Sequence, residues 1–268
     1  MSKKNSLPKS VLITGATSGI GAETSELFLK KGFKVYGTSR KPDDNRNLFS
    51  QYERFSLLYL DLGNSASITS LPNKTGPVDI LIHNAGISQI GAAEDISEEI
   101  SLKIFKTNFF GIIELNKLYL PLMRNAGFGR ILHISSLAAK IPLPYSSLYA
   151  ASKAALDAYS YSLRAEVKIF NISVSSIYFD YVKTALPQIE SLDKNSPYYQ
   201  SVIHMKIKRD ENIKNGRAAN EIAQIVYQTS RRDRLPAQVC IGKKVKLLNN
   251  LKNLLPNSLT ERIIQRKF

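Results

Sequence analysis

The chain is expected to fold as a single α/β domain on a doubly wound, parallel, seven-stranded sheet. Seven short apolar or β-branched runs, at residues 10–14, 34–38, 55–60, 78–83, 129–135, 172–177 and 238–241, alternate with longer stretches of helical periodicity. Runs such as VLIT, DILIH and RILHIS lack the in-and-out alternation of a half-solvated sheet, so they suit strands covered on both faces. The first run also ends in a glycine-rich turn that opens the first helical stretch, as at the ligand end of such sheets.

That turn reads Thr14-Gly15-Ala16-Thr17-Ser18-Gly19-Ile20-Gly21. Gly15 permits a tight turn, Gly19 lets backbone approach a pyrophosphate, and Gly21 lets the helix at 20–31 pack closely on its strand. Thr17, Ser18 and Ile20 complete the expected phosphate cradle. About 20 residues on, the second strand ends in Thr38-Ser39-Arg40-Lys41, where an acid would grip a ribose 2′-hydroxyl. No acid stands there. Ser39 is neutral and Arg40 can fork a 2′-phosphate, so the expected cofactor is NADP(H) rather than NAD(H).

The third strand leads into a short helix near 66–71, and the fourth ends at His83. A helix is expected over 97–124, the fifth strand runs into Ser135-Ser136, and another helix is expected over 147–170. On the latter, Tyr149 and Lys153 stand four apart and so share one face. A tyrosine near pKa 10 is a poor acid/base at neutral pH unless a held ammonium and a positive nicotinamide stabilise its phenolate. Ser136 could stabilise charge developing on a substrate oxygen. After the sixth strand comes an irregular stretch at about 183–216, rich in Pro, Ser, Asn and Tyr and expected to be a substrate lid. A helix at 219–230 and the seventh strand close the domain.

Composition agrees with one globular unit. The 268 residues are 43% hydrophobic and 22% charged, with no repeat or linker to divide them. The lone Cys240 excludes an internal disulfide and a cysteine-cluster metal site, and it reads as a small core hydrophobe. His83, His133 and His204 lack metal-ligand spacing and read as structural, so no metal is expected. The amino terminus shows no signal-peptide core, so a cytoplasmic protein is expected. From Val202 onward, 15 Lys and Arg face 5 Asp and Glu, which accounts for +10 of the net +15. The domain is expected to span 1–242, with 243–268 a basic amphipathic tail carrying Val245, Leu247, Leu248, Leu251, Leu254 and Leu255 at helical spacing. Its pattern suits peripheral contact with an anionic membrane, competing with packing on the domain itself or on a partner subunit. Without a recognition motif beside the charge, nucleic acid is not an expected partner.

Taken in order, TGATSGIG, Asp61-Leu62, Asn84-Ala85-Gly86, Asn108, Ser136 and Tyr149-x-x-x-Lys153 resemble the short-chain dehydrogenase/reductase family in its single-domain, Rossmann-like form, over about residues 12–241. The resemblance implies Tyr149 as general acid/base, Lys153 lowering its pKa and holding the nicotinamide ribose, Ser136 polarising substrate, and Asn108 positioning a water. It implies Asp61 and Leu62 near the adenine, Asn84, Ala85 and Gly86 steadying the sheet beside the cofactor, and Val182 and Thr184 on the nicotinamide side. It also implies a homodimer or homotetramer.

The stretch 143–149 and the leucine-rich tail resemble the steroid- and retinol-dehydrogenase-like branch. Apolar residues expected near the pocket, Ile87, Leu137, Ile141, Leu143, Pro144 and Tyr145, favour a lipophilic ketone, aldehyde or secondary alcohol. One departure is plain: Phe179-Asp180 stands where the family usually has Pro-Gly, putting a bulky residue and a negative charge beside the nicotinamide. That departure supports the alternative of a cofactor-sensing, catalytically weak dinucleotide-binding protein.

Overall fold

Parallel pairing follows directly from the apolar runs. In the computed structural model, which describes residues 9–252, the strands are β1 (Ser10–Ile13), β2 (Lys34–Ser39), β3 (Phe55–Tyr59), β4 (Ile80–His83), β5 (Ser88–Ile90), β6 (Gly129–Ile134), β7 (Ile172–Tyr178), β8 (Gln188–Glu190) and β9 (Gln238–Cys240). Seven of them form one parallel sheet in the order β3-β2-β1-β4-β6-β7-β9, all seven where the sequence places them. The order reverses between β1 and β4, so a crevice opens at the carboxyl ends of those two strands.

Both faces of the sheet are covered, which explains the unbroken apolar runs. On β1, Val11 and Ile13 join one core while Leu12 joins the other; on β4, Ile80 and Ile82 oppose Leu81 in the same way. Helices α1 (Gly19–Lys30) and α8 (Ala219–Ser230) seal the first core through Phe28, Ile222 and Val226. Helices α5 (Gly111–Ala126) and α6 (Ser147–Val167) seal the second through Ile112, Leu115, Tyr119, Leu156 and Leu163. Each such side chain contributes about 1.5–3 kcal/mol on leaving water.

Three expectations need correction. The helix expected over 97–124 is interrupted: α4 (Glu98–Phe105) passes into a π-helical turn, Lys106–Phe110, before α5. An extra residue per turn swings Asn108 inward, where it is fully buried, and apolar periodicity alone carries no signal for such a turn. The helix expected to end at 170 stops at Val167, followed by a tighter turn to Phe170. The stretch 183–216 is not irregular throughout: β8 pairs with β5 as a two-stranded parallel ribbon, and α7 (Tyr199–Lys214) spans 16 residues. Only Val202 and Met205 of α7 are buried, so it lacks the broad apolar stripe from which a helix is read.

Short helices α2 (Ser65–Thr69) and α3 (Leu71–Thr75) link β3 to β4, and α9 (Lys243–Lys252) follows β9. Val245 is buried against Ala139 and Tyr178, so the tail's first turn packs on the domain itself, while Leu247 is exposed. Leu254, Leu255 and the rest of 253–268 lie outside the described residues. No described helix is long and apolar enough to cross a membrane.

Candidate active site

The crevice between β1 and β4 is a cleft of about 640 Å³. It runs from Ser39, Arg40 and Lys41 at the end of β2, past Gly15, Thr17, Ser18, Gly19 and Ile20, to Tyr149 and Lys153 of α6. Asp61, Leu62, Asn84, Ala85, Gly86 and Thr184 also line it. Five predicted residues do not line it: Ser136 reaches it only through its hydrogen bond to Tyr149, and four stand behind its wall. Gly21 packs under the turn, Asn108 is buried beneath Gly86, Val182 lies in the core against the first face of the sheet, and Tyr145 packs with Ile90, Ala92, Val202 and Met205. Val182 could therefore meet a ligand only through its backbone.

The turn after β1 is built for close approach. Gly15 and Gly19 take φ of +67° and +51°, which suits glycine and strains other residues. Asn84 braces it: its side-chain amide donates to the carbonyls of Thr14 and Gly15, each at 3.0 Å. The backbone N–H groups of Asn84 and Ala85 both donate to Thr14 Oγ1. A Cβ on Gly21 would collide with the Gly15 carbonyl and sit 2.6 Å from Asn84 Nδ2; one on Gly19 would sit 2.8 Å from Thr184 Cγ2. The α1 amino terminus has neither a side-chain cap from Ser18 nor an acidic residue in its first turn. Its N–H groups are left for an anion, so turn and helix together fit a pyrophosphate. Gly21→Ala is expected to lower both the unfolding temperature and NADPH affinity, the latter by at least about ten-fold, an effect of 1.4 kcal/mol; thermal unfolding and a fluorescence titration read the two.

At the far end, α6 presents Tyr149 and Lys153 one turn apart. Ser136, at the carboxyl end of β6, hydrogen-bonds the Tyr149 hydroxyl, and its Oγ also accepts from Ala138 N at 3.1 Å. Burial pushes the Tyr149 hydroxyl above its ordinary pKa, partly offset by the Ser136 hydrogen bond and by the positive charge of Arg209. The expected depression of this tyrosine by Lys153 is not what the chain alone produces. At neutral pH Tyr149 is therefore a protonated acid.

Lys153 Nζ donates to the Ile134 carbonyl at 3.0 Å, and burial pulls its pKa down to about 8. Asn108 is held by the backbone of Ile87, accepting from its N–H and donating to its carbonyl, both at 2.9 Å, and donates to Ser152 Oγ at 3.0 Å. A Cβ on Gly86 would stand 3.2 Å from Asn108 Oδ1 and 3.6 Å from Lys153 Nζ. Gly86 thus lets the two groups face one gap.

The Phe179-Asp180 departure is less disruptive than expected. Neither residue takes a positive φ, so the backbone there does not demand a glycine. The Phe179 carbonyl accepts from Leu137 N at 2.9 Å, and the Phe179 ring forms part of the cleft wall. Sequence reading missed Lys41, Asp44, Asn45 and Tyr59 beside Arg40, Thr107 and Ser135 deeper in, and Arg209 near Tyr149. Lys41, Thr107 and Ser135 had a signal, each adjoining a predicted residue; Tyr59 ends β3, Asp44 and Asn45 lie in the turn after β2, and Arg209 stands on the polar α7.

The short chain dehydrogenase family model matches residues 9–195. The chain belongs to that family. It is 32% identical to 3-ketodihydrosphingosine reductase of Bacteroides thetaiotaomicron, over 95% of this chain and 96% of that protein. Among solved structures it is similar to a short-chain dehydrogenase from Streptomyces avermitilis, at 26% identity and a TM-score of 0.83 over 97% of each chain. It is also similar to ElxO with NADP bound, at 25% identity and a TM-score of 0.72, over 88% of this chain and 97% of that one. The chain is thus an oxidoreductase of the short-chain dehydrogenase/reductase family, with steroid- and retinol-dehydrogenase-like relatives.

Proposed function

We propose that this oxidoreductase interconverts a lipophilic ketone or aldehyde and its alcohol using NADP(H), with Tyr149 as general acid/base. The observation that carries the reading is the convergence of Tyr149, Lys153 and the Ser136 hydroxyl at one end of a cleft whose other end is a glycine cradle for phosphate. When bound, the nicotinamide supplies or takes up the hydride.

In the reducing direction, Tyr149 Oη gives its proton to the carbonyl oxygen as charge develops there, and Ser136 Oγ donates a hydrogen bond to the same oxygen. Lys153, with a pKa of about 8, is close enough to neutrality both to carry a proton and to stabilise the phenolate left behind. Asn108 ties the π-turn to the Ile87 backbone and to Ser152 beside that lysine. Of the apolar residues expected near the pocket Ile87 lines the cleft, and with Phe179, Ala185 and Leu186 it favours a lipophilic substrate, while α7 with the β5–β8 ribbon forms its lid.

For the cofactor, NADP(H) is supported by Ser39 and Arg40 at the cleft rim, where no acid ends β2. Arg40 has no ion pair among the described residues, while its neighbour Lys41 reaches Asp44 at 3.7 Å. Its fork is free for a 2′-phosphate. The NADP-bound relative is consistent with that choice. Ser39→Asp sets a carboxylate against the phosphate and is expected to shift the kcat/KM ratio of NADPH over NADH toward NADH by about 10²-fold, or 2.7 kcal/mol. An unchanged ratio contradicts the assignment. The function itself is tested by a carbonyl and alcohol panel run with both cofactors, in which NADPH-dependent turnover of at least one apolar carbonyl is expected.

A homodimer or homotetramer is proposed from the apolar residues left exposed on α4, the π-turn and α6, Leu102, Phe110 and Tyr161. Peripheral contact with an anionic membrane, in a cytoplasmic setting, is proposed from the exposed Lys243, Lys244, Lys246 and Leu247 of α9.

A further inference from the structure

Helix α7 brings to the catalytic end of the cleft one cation that the chemistry above does not use. Arg209 is half-buried, and burial lowers its pKa. Yet no carboxylate lies within ion-pair distance of it among the described residues. The neighbouring acids are engaged elsewhere: Lys206 takes Glu190 at 3.2 Å and Asp210 at 3.4 Å. Of the five N–H donors that an arginine carries, the described residues satisfy one, through a long bond of 3.4 Å from Nη1 to the Gln89 carbonyl.

The titratable groups whose charge acts on this cation are Tyr149, Tyr181, Asp210 and Glu190, the last two paired with Lys206. Asp180 acts on Tyr181, whose hydroxyl Asn212 also hydrogen-bonds. The wall beside Arg209 is rigid. Gln89 is fully buried, and its side-chain amide donates to the carbonyls of Gly91 and Tyr145, each at 3.1 Å. Tyr145 is thereby held at a φ of +61°, rare for a residue other than glycine, and such strain concentrates where a ligand is clamped. Gln89 Oε1 is buried with no partner.

A partly desolvated guanidinium without a counter-ion is unfavourable, and an arginine's planar fork is matched to a carboxylate or phosphate. We propose that Arg209 is the recognition residue for an oxyanion, carboxylate or phosphate, carried by the carbonyl substrate. The enzyme then takes apolar oxo compounds bearing one anionic group in preference to neutral ketones. This rests on reading the Tyr149 site as a carbonyl reductase site. Ile87, Phe179, Ala185 and Leu186, which line the Tyr149 end of the cleft, supply the apolar side of such a substrate. Arg209 is thus a specificity residue, and its charge also favours the Tyr149 phenolate.

The experiment uses the full chain with NADPH and medium-chain oxo acids, their methyl esters, and oxoalkyl phosphates of equal length. Wild type is expected to favour the anionic members by about 10²-fold in kcat/KM, and Arg209→Gln to abolish that preference by raising KM for acids and phosphates only, whatever smaller change in kcat it brings to acids and esters alike. Arg209→Lys should restore part of it. The acid and phosphate arms show which oxyanion the site takes. Equal losses for acids and esters in Arg209→Gln, with the pH profile shifted for both, would mean that Arg209 acts only on Tyr149 and overturn the proposal.

Turnover of esters with no preference for charge overturns it while leaving the carbonyl-reductase reading standing. If no carbonyl is reduced, that reading fails instead, and quenching of bound-NADPH fluorescence by plain fatty acids and alkyl phosphates still reads the Arg209 site. Binding lost in Arg209→Gln supports the site; no binding to wild type overturns it.

Discussion

Tyr149→Phe is expected to lower kcat for carbonyl reduction by about 10²–10⁴-fold, the contribution of a positioned proton donor, while NADPH affinity stays within about two-fold of wild type. The substitution removes one oxygen from the end of the cleft. The Ser136 hydroxyl and Lys153 Nζ keep their backbone partners, Ala138 N and the Ile134 carbonyl. Burial holds Tyr149 protonated through neutral pH, so the reducing direction finds its acid ready-made, and the oxidising direction should accelerate with rising pH. Steady-state rates of NADPH oxidation across pH, with a parallel fluorescence titration, check both halves. Normal turnover by the variant would mean that another group delivers the proton.

The second large effect concerns stability in acid. Beneath the site, His83 of β4 and His133 of β6 stack with ring centroids 5.0 Å apart, both fully buried between the sheet and the α5–α6 pair. Their hydrogen bonds are laid out for neutral rings. His83 Nε2 bonds Asn116 Oδ1 at 2.8 Å, and Asn116 Nδ2 reaches His133 Nε2 at 3.5 Å. His133 Nδ1 meets Ser160 Oγ at 2.7 Å, and Ser160 in turn donates to the Leu156 carbonyl. A proton added to His133 Nε2 would confront an amide donor, and one added to His83 Nδ1 would find no acceptor.

Burial accordingly lowers His83 to about 4 and His133 well below its usual value. Both rings take up protons more readily once unfolded, so stability is complete above pH 6.5 and falls as the pH drops from there toward 4. Over that window His83 alone accounts for roughly 3 kcal/mol, at 1.4 kcal/mol per pKa unit. Urea midpoints at pH 7.5 and 5.0 should therefore separate widely in the wild type, and much less in a His83→Gln/His133→Gln variant. An equal separation in the two proteins would place the acid sensitivity elsewhere.

What the sequence made legible was whatever rests on local stereochemistry or fixed spacing. Gly15, Gly19 and Gly21 mark a turn because only glycine fits the backbone and the collisions found there. The seven strands announced themselves through Val11-Leu12-Ile13 and its counterparts, since a sheet buried on both faces leaves no polar alternation. Tyr149 and Lys153 acquired meaning from Ser136 and Asn108 at matching distances.

The rest depends on tertiary context. The π-turn at Asn108 leaves no mark on periodicity. Helix α7 buries only two apolar residues, so Arg209 looked like one more charge in a basic tail, though its guanidinium sits beside Tyr149. The concern over Phe179-Asp180 came from a family pattern, and the backbone dihedrals there remove its steric part.

The proposed chemistry is hydride transfer between NADPH and a carbonyl carbon held in this cleft. Mass spectrometry of the alcohol formed from NADPH carrying deuterium at the nicotinamide C4 position tests it most directly. One deuterium is expected on the carbinol carbon when the label is on the transferred face, with its formation by Tyr149→Phe slowed about 10²–10⁴-fold. No deuterium in the alcohol from either labelled face, or formation as fast by the Tyr149→Phe protein as by wild type, would rule that transfer out.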